Sequence, residues 1–279
     1  MRGSCARLTL NDDQRISSVD KELGGVVCLE QYPLDDDQFR ASCRTSLEND
    51  GLLVLPGFLT AEALDSVRAE GNEKQHLAYY CVQEHNVYLT PPVTEFAADH
   101  PRNREVTSSK GCITDDQVAR DSKLRFLYDA AAFRDYLCAV LDEAALYEYA
   151  DSLSSINLHY AAAGQELGWH FDNSSIAITL LIQQPEQGGV FEFIRAIRDS
   201  ERGEMNFEKV GDVLDDKCTP DTLSMDAGTL VLFRGRDAIH RVTPVQGDTT
   251  RMLVVLAYNS EPGIALSESA RMTFFGRLE

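Results

Sequence analysis

From Ser154 onward the hydrophobic period of the chain changes to two, and this change limits the fold more than any other feature. Ile156, Leu158 and Tyr160 alternate with their neighbours, and short apolar runs follow at 177–182, 190–194, 229–233 and 251–258, parted by Gly and Pro. Successive side chains of a strand point to opposite faces, so each run reads as a strand with a face to bury. Many short strands between tight turns close into an antiparallel barrel or jelly roll. The chain is therefore expected to be mainly β with flanking helices (α+β), its core at 154–260.

The first half supplies the flanking helices. Residues 1–50 read as an N-terminal arm leading into a helix, with Asp35, Asp36 and Asp37 preceding an apolar-periodic stretch from Phe39 to Leu47. A single domain is expected over 51–279, with helical and loop support at 51–153 and a C-terminal extension at 261–279. Leu52 to Leu55 reads as a strand closed by Pro56-Gly57, and Thr60 as the N-cap of a helix to about Leu77. Pro91-Pro92, Pro101 and Gly111 predict a long ordered loop region over 79–123. The spacing of Leu124, Leu127, Tyr128, Phe133, Leu137 and Leu141 then predicts one scaffold helix beneath the sheet. The acidic stretch 196–227 reads as a solvated insertion more than as a lid.

Composition removes several classes of function. The formal charge of −19 argues against a nucleic-acid partner, which calls for a basic face. No apolar run approaches the roughly 20 residues that cross a bilayer, and no apolar signal core opens the chain, so a cytoplasmic protein away from membranes is expected. Seven cysteines, at 5, 28, 43, 81, 112, 138 and 218, form no C-x-x-C pair and read as reduced, structural thiols. A homodimer is compatible with everything in the sequence.

The chemistry concentrates around His170-Phe171-Asp172. In extended backbone His170 and Asp172 share one face, and His240, after the run at 229–233, is the candidate third ligand. Two histidines and a carboxylate cover one face of an octahedral ion and leave the opposite face open, the pattern of non-haem Fe(II) oxygenases. Zinc is the competitor and would support hydrolysis instead. Arg251 opens a strand beyond His240, where its fork could receive a carboxylate such as the C5 carboxylate of 2-oxoglutarate; an internal salt bridge is the alternative. His76, His85, His100 and His159 are assigned no ligand role.

With these motifs in order, the chain resembles the Fe(II)/2-oxoglutarate-dependent oxygenase superfamily. The resemblance rests on 167–173, Gly188-Gly189-Val190-Phe191-Glu192, 228–233, 240–245 and Arg251. It is most similar to the branch of free-amino-acid radical halogenases and their hydroxylase relatives, through Gly168-Trp169-His170 and Phe233-Arg234-Gly235-Arg236. That resemblance implies a double-stranded β-helix, cupin-like core that uses Fe(II), 2-oxoglutarate and O2, with ascorbate as an in vitro activator. The halogenases have a small residue where this chain has Asp172, because a halide takes the carboxylate's place on the metal. Hydroxylation of an unactivated C–H bond is therefore expected rather than halogenation.

Asn157 and Tyr160 are candidates for the cosubstrate pocket. Trp169 is a candidate pocket wall, though alternation sets it opposite His170. For the substrate, expected to be a small molecule such as a free amino acid or derivative, the candidates are Glu84 for an amine and Arg102 or Arg104 for a carboxylate. Lys110 and the tyrosines at 79, 80 and 88 lie in the same region. Prolyl-hydroxylase-like action on a protein side chain, desaturation or cyclisation of a small substrate, and a non-catalytic cupin-like metal sensor are the alternatives.

Overall fold

The structure is a computed structural model, and residues 22–279 are described; Cys5 and most of the N-terminal arm lie outside them. Helix α1 (Asp37–Asp50) starts at Asp36, whose carboxylate accepts from the Phe39 amide, and stops at Gly51 in the left-handed conformation. Strand β1 (Leu52–Leu55) follows, then α2 (Ala61–Lys74), capped as expected by the Thr60 hydroxyl. A single scaffold helix is not what forms next. The apolar stripe is divided into α3 (Lys123–Asp129) and α4 (Ala131–Leu141), because Ala130 is extended at ψ 120°.

The region expected to be a long loop contains a hairpin instead. Strands β2 (Tyr79–Asn86) and β3 (Glu105–Ile113) pair along their whole length, and the prolines fall in the connection between them. The proline signals were genuine but belonged to 18 intervening residues, not to the flanking strands.

The remaining strands are β4 (Ile156–Ala161), β5 (Leu167–His170), β6 (Ala177–Gln183), β7 (Gln187–Gly188), β8 (Phe191–Ile194), β9 (Asp221–Leu223), β10 (Leu230–Phe233), β11 (Ile239–Val242), β12 (Val245–Gln246) and β13 (Arg251–Leu256). All but β7 and β12 join one curled antiparallel sheet in the order β1-β10-β6-β13-β4-β3-β5-β11-β8-β9, with β2 on β3. One wall is β10-β6-β13-β4 and the other β5-β11-β8-β9. Strand β3 stitches them, pairing with β4 and, through Ser108 opposite Leu167, with β5. This is the jelly-roll core expected from the period of two.

The pleat divides the first wall, with Ile178 and Leu256 touching both sides. Leu158, Tyr160, Ile178, Leu180, Leu230, Leu232, Met252 and Val254 turn outward into one apolar core with Leu127, Tyr128, Phe133 and Leu137 of the helices. The alternate residues His159, Thr179, Val231, Arg251, Leu253 and Val255 turn inward and line a cavity.

The acidic insertion is anchored rather than merely solvated. It carries a helix, α5 (Phe207–Leu214), whose Val210, Val213 and Leu214 are buried in a second apolar cluster with Val87, Tyr88, Trp169 and Phe171. Truncating Val213 to Ala is expected to cost about 2 kcal/mol. Urea unfolding and limited proteolysis at 196–227 check this; unchanged values in both would mean that the helix does not hold the insertion down.

Candidate metal centre and cavity

Adjacent strands bring the three candidate ligands together. His240 of β11 pairs directly with His170 of β5, and Asp172 follows two residues after that strand ends. Asp172 Oδ1 lies 3.8 Å from His170 Nε2 and 3.5 Å from His240 Nε2, and one donor atom from each residue lies within 4.8 Å of the others.

Both imidazoles are held from behind. His170 Nδ1 is 2.8 Å from the Gly168 carbonyl and His240 Nδ1 is 3.0 Å from the Ala238 carbonyl. Each Nδ1–H donates to backbone, which leaves the Nε2 lone pair directed at the shared point. A further contact supports His170: the Gly168 amide donates to Ser108 Oγ at 3.0 Å, and that hydroxyl is 2.7 Å from His85 Nε2.

Burial lowers the His170 pKa to about 3, aided by the neighbouring His240, so the ring is neutral and free to ligate at ordinary pH. For Asp172 burial works upward, yet His240, by charge and hydrogen bond, together with His170 and Lys110, holds the carboxyl below its usual range. Its Oδ2 is buried with no hydrogen-bond partner. Two oriented neutral nitrogens, a carboxylate and an orphaned carboxylate oxygen fit a divalent cation.

Gly235 makes room for this carboxylate. A Cβ there would lie 2.7 Å from Asp172 Cγ and 2.9 Å from His240 Cε1, and the Gly235 carbonyl accepts from the Asp172 amide at 3.0 Å.

The cavity beside the centre has a volume of about 300 Å³, at the small end of ligand pockets. Near the histidines it is apolar, lined by Phe191, Leu223, Met225, Val231 and Phe233, with the Phe233 ring 4.9 Å from that of His240. Arg251 lies on the opposite side. It is 6% exposed and has no hydrogen bond or salt bridge to the described residues; burial lowers its pKa only to about 10, so it stays charged.

Other residues singled out in the sequence lie elsewhere. Tyr160 belongs to the outward face, where its hydroxyl donates to the Gly71 carbonyl at 2.8 Å. Asn157 shares a face with His159, but its amide donates to the Leu153 and Ile156 carbonyls, and it does not line the cavity. Trp169 packs outside the barrel beneath the Arg241 guanidinium, 4.5 Å from the ring centre. Glu84 is exposed and accepts from Thr107. Arg102 donates to Thr90 and to the Pro91 carbonyl, while Arg104 bonds Asp215 and the Leu214 carbonyl at the end of α5. These four do not line the cavity, because the hairpin and α5 engage them on the outside.

Lys110, His159 and Gly235 are the residues that were missed. Parity alone could have found His159, since it alternates with Tyr160. Lys110 would have followed from reading 105–113 as a strand. Gly235 stands in the Phe233-Arg234-Gly235-Arg236 stretch that carries the resemblance, but its part depends on a contact between distant segments that no local pattern reveals.

Two measurements test the centre. Gly235→Ala should weaken Fe(II) or Mn(II) binding roughly 10- to 100-fold in a metal titration, with the fold retained by circular dichroism. Unchanged affinity would remove Gly235 from the site. Because the folded pKa of His170 is depressed, the unfolded chain takes up its proton first as pH falls below about 6.5. The metal-free protein should therefore lose up to about 1.4 kcal/mol per pH unit from this group between pH 6 and 4. Urea midpoints should show a shallower decline in His170→Gln.

Solved structures similar to this chain share its fold. An oxidoreductase of the 2OG-Fe(II) oxygenase family from Burkholderia pseudomallei is 13% identical, with 81% of this chain and 92% of the other covered and a TM-score of 0.51. The non-heme alpha ketoglutarate dependent carbocyclase SnoK from nogalamycin biosynthesis is 11% identical, covering 85% and 92%, with a TM-score of 0.55. The epimerase SnoN in complex with Fe3+, alpha ketoglutarate and nogalamycin RO is 13% identical, covering 80% and 84%, with a TM-score of 0.53. No curated relative matches the sequence. The family model for HalD, described as Halogenase D, matches residues 34–272, and the chain belongs to that family.

Proposed function

We propose that this protein is an Fe(II)- and 2-oxoglutarate-dependent dioxygenase that hydroxylates an aliphatic C–H bond of a small molecule. The observation that carries the reading is Asp172. In a family named for halogenation, this chain keeps a carboxylate 3.5 and 3.8 Å from the two histidines, where a halide would need a free coordination position. His170, Asp172 and His240 would hold the iron. Iron(II), 2-oxoglutarate and dioxygen together supply the oxidising power, with 2-oxoglutarate leaving as succinate and carbon dioxide.

The protein's part is placement and exclusion of water. Arg251, charged and unanswered, would receive the distal carboxylate of 2-oxoglutarate. The rings of Phe191 and Phe233 and the side chains of Leu223 and Met225 keep the metal's surroundings dry and present an aliphatic group to it. Asp172 is the one acid among the lining residues, so a substrate ammonium has no second carboxylate to meet. An amino acid with an apolar side chain, or a derivative whose amine is neutralised, suits such a lining better than lysine.

The test is a panel of free and N-acylated amino acids incubated with Fe(II), 2-oxoglutarate, ascorbate, oxygen and chloride, followed by mass spectrometry and succinate assay. Gain of one oxygen on an aliphatic member, abolished in Asp172→Ala, is expected. Chlorine in place of hydrogen, or loss of two hydrogens without oxygen gain, would overturn hydroxylation. No succinate above background from any member would overturn the enzyme reading in favour of a metal-binding module.

A further inference from the structure

Two cations inside the barrel face the same hollow. Arg251 begins β13 directly opposite Ala161 of β4. On the other edge of β4, Gly111 pairs with Tyr160, so the next residue of β3, Lys110, comes level with the same Ala161. Lys110, Ala161 and Arg251 thus form one row across three strands, with a cation on each side of a methyl group. One step along, His159 lies between Cys112 and Leu253 in register and lines the cavity with Leu253, while Cys112 packs in a separate cluster with Leu153 and Phe275.

The side chains converge where the backbone row predicts. A narrow extension of the cavity, about 20 Å³, is bordered by Lys110, His159, Ala161 and Arg251. Lys110 Nζ lies 3.3 Å from both ring nitrogens of His159, and Phe274 of α6 (Glu268–Phe275) covers it with its ring centre 5.7 Å away. His159 is kept neutral by burial and by Lys110 and Arg251 on either side, so it offers neither cation a counter-charge. Glu166 borders the same extension but makes no salt bridge to either of them among the described residues.

Arg251 makes no salt bridge among the described residues and Lys110 is offset only by the charge of Asp172, so a hollow bordered by both cations favours an anion. The space over Ala161 is small and is bordered by both cations. The two oxygens of a carboxylate match a guanidinium fork on one side and a point-charge ammonium on the other.

We infer that Lys110 is a second cosubstrate-binding cation: the distal carboxylate of the 2-oxo diacid rests over Ala161, shared between Arg251 and Lys110. His159 positions the ammonium by accepting one of its hydrogens. The inference rests on the proposed 2-oxoglutarate dependence. It adds a residue that discriminates a diacid from 2-oxo acids lacking the far carboxylate.

Binding measured without turnover tests it. Anaerobic protein loaded with Fe(II) is titrated with 2-oxoglutarate and with 2-oxopentanoate, which replaces the distal carboxylate by a methyl group. The visible metal-to-ligand band and calorimetry provide the readouts. Lys110→Met should weaken 2-oxoglutarate at least 10-fold and leave 2-oxopentanoate within about twofold of the unsubstituted protein. Lys110→Arg should restore most of the diacid preference, and thermal melting confirms that both variants fold. An unchanged preference in Lys110→Met, or equal weakening of both acids, would overturn the assignment. Failure of the unsubstituted protein to bind 2-oxoglutarate at all would instead overturn the cosubstrate itself.

Discussion

The ladder of β13 between β4 and β6 fixes which side chains meet inside the barrel, because a pleated strand cannot turn one residue inward without turning both neighbours outward. Met252 and Val254 go to the helical core, which compels Arg251, Leu253 and Val255 to face the cavity. The same rule sends Leu158 and Tyr160 out and His159 in. Burial of the apolar set therefore provides the free energy that holds a guanidinium and an imidazole in a place neither would choose alone. A slip of one residue in this register would expose the core and empty the site in the same step.

Charge is distributed against the overall balance of the molecule. The chain carries −19, yet the main cavity presents Arg251 and Lys110 and, apart from the candidate ligand Asp172, no acid among its lining residues. Many of the acidic groups lie on the outside, several in ion pairs with arginine or lysine such as Arg44–Asp142 and Arg104–Asp215. Exposed pairs of this kind add little to stability. Their separation from the interior leaves Arg251 without a salt bridge among the described residues and so available to a ligand.

How much of this was legible follows from which signals are local. The strands of the core, the H-x-D pair and His240 depend on alternation and short-range motifs; the fold agrees with the strands, and His170, Asp172 and His240 do come together. The β2–β3 hairpin was hidden because Pro91, Pro92 and Pro101 dominate any local reading, although they occupy only its connection. Tyr160 was paired with Asn157 despite opposite parity, a conflict the pleat itself resolves. Glu84, Arg102 and Arg104 stand out in the sequence by charge alone, and charge does not say which side of a hairpin faces a cavity. Burial of α5 under Tyr88 depends on residues more than 100 positions apart, beyond the reach of local periodicity.

The contact between Gly235 and Asp172 has an evolutionary consequence. Aspartate codons are one nucleotide from those of both glycine and alanine, so the carboxylate at 172 is removable by a single base change. Because position 235 has no side chain, trimming residue 172 would leave a hollow instead of a collapsed wall, and the vacancy on the metal would coincide with a vacancy in space. The bare backbone at 235 thus ties the room for this carboxylate to a residue distant in sequence.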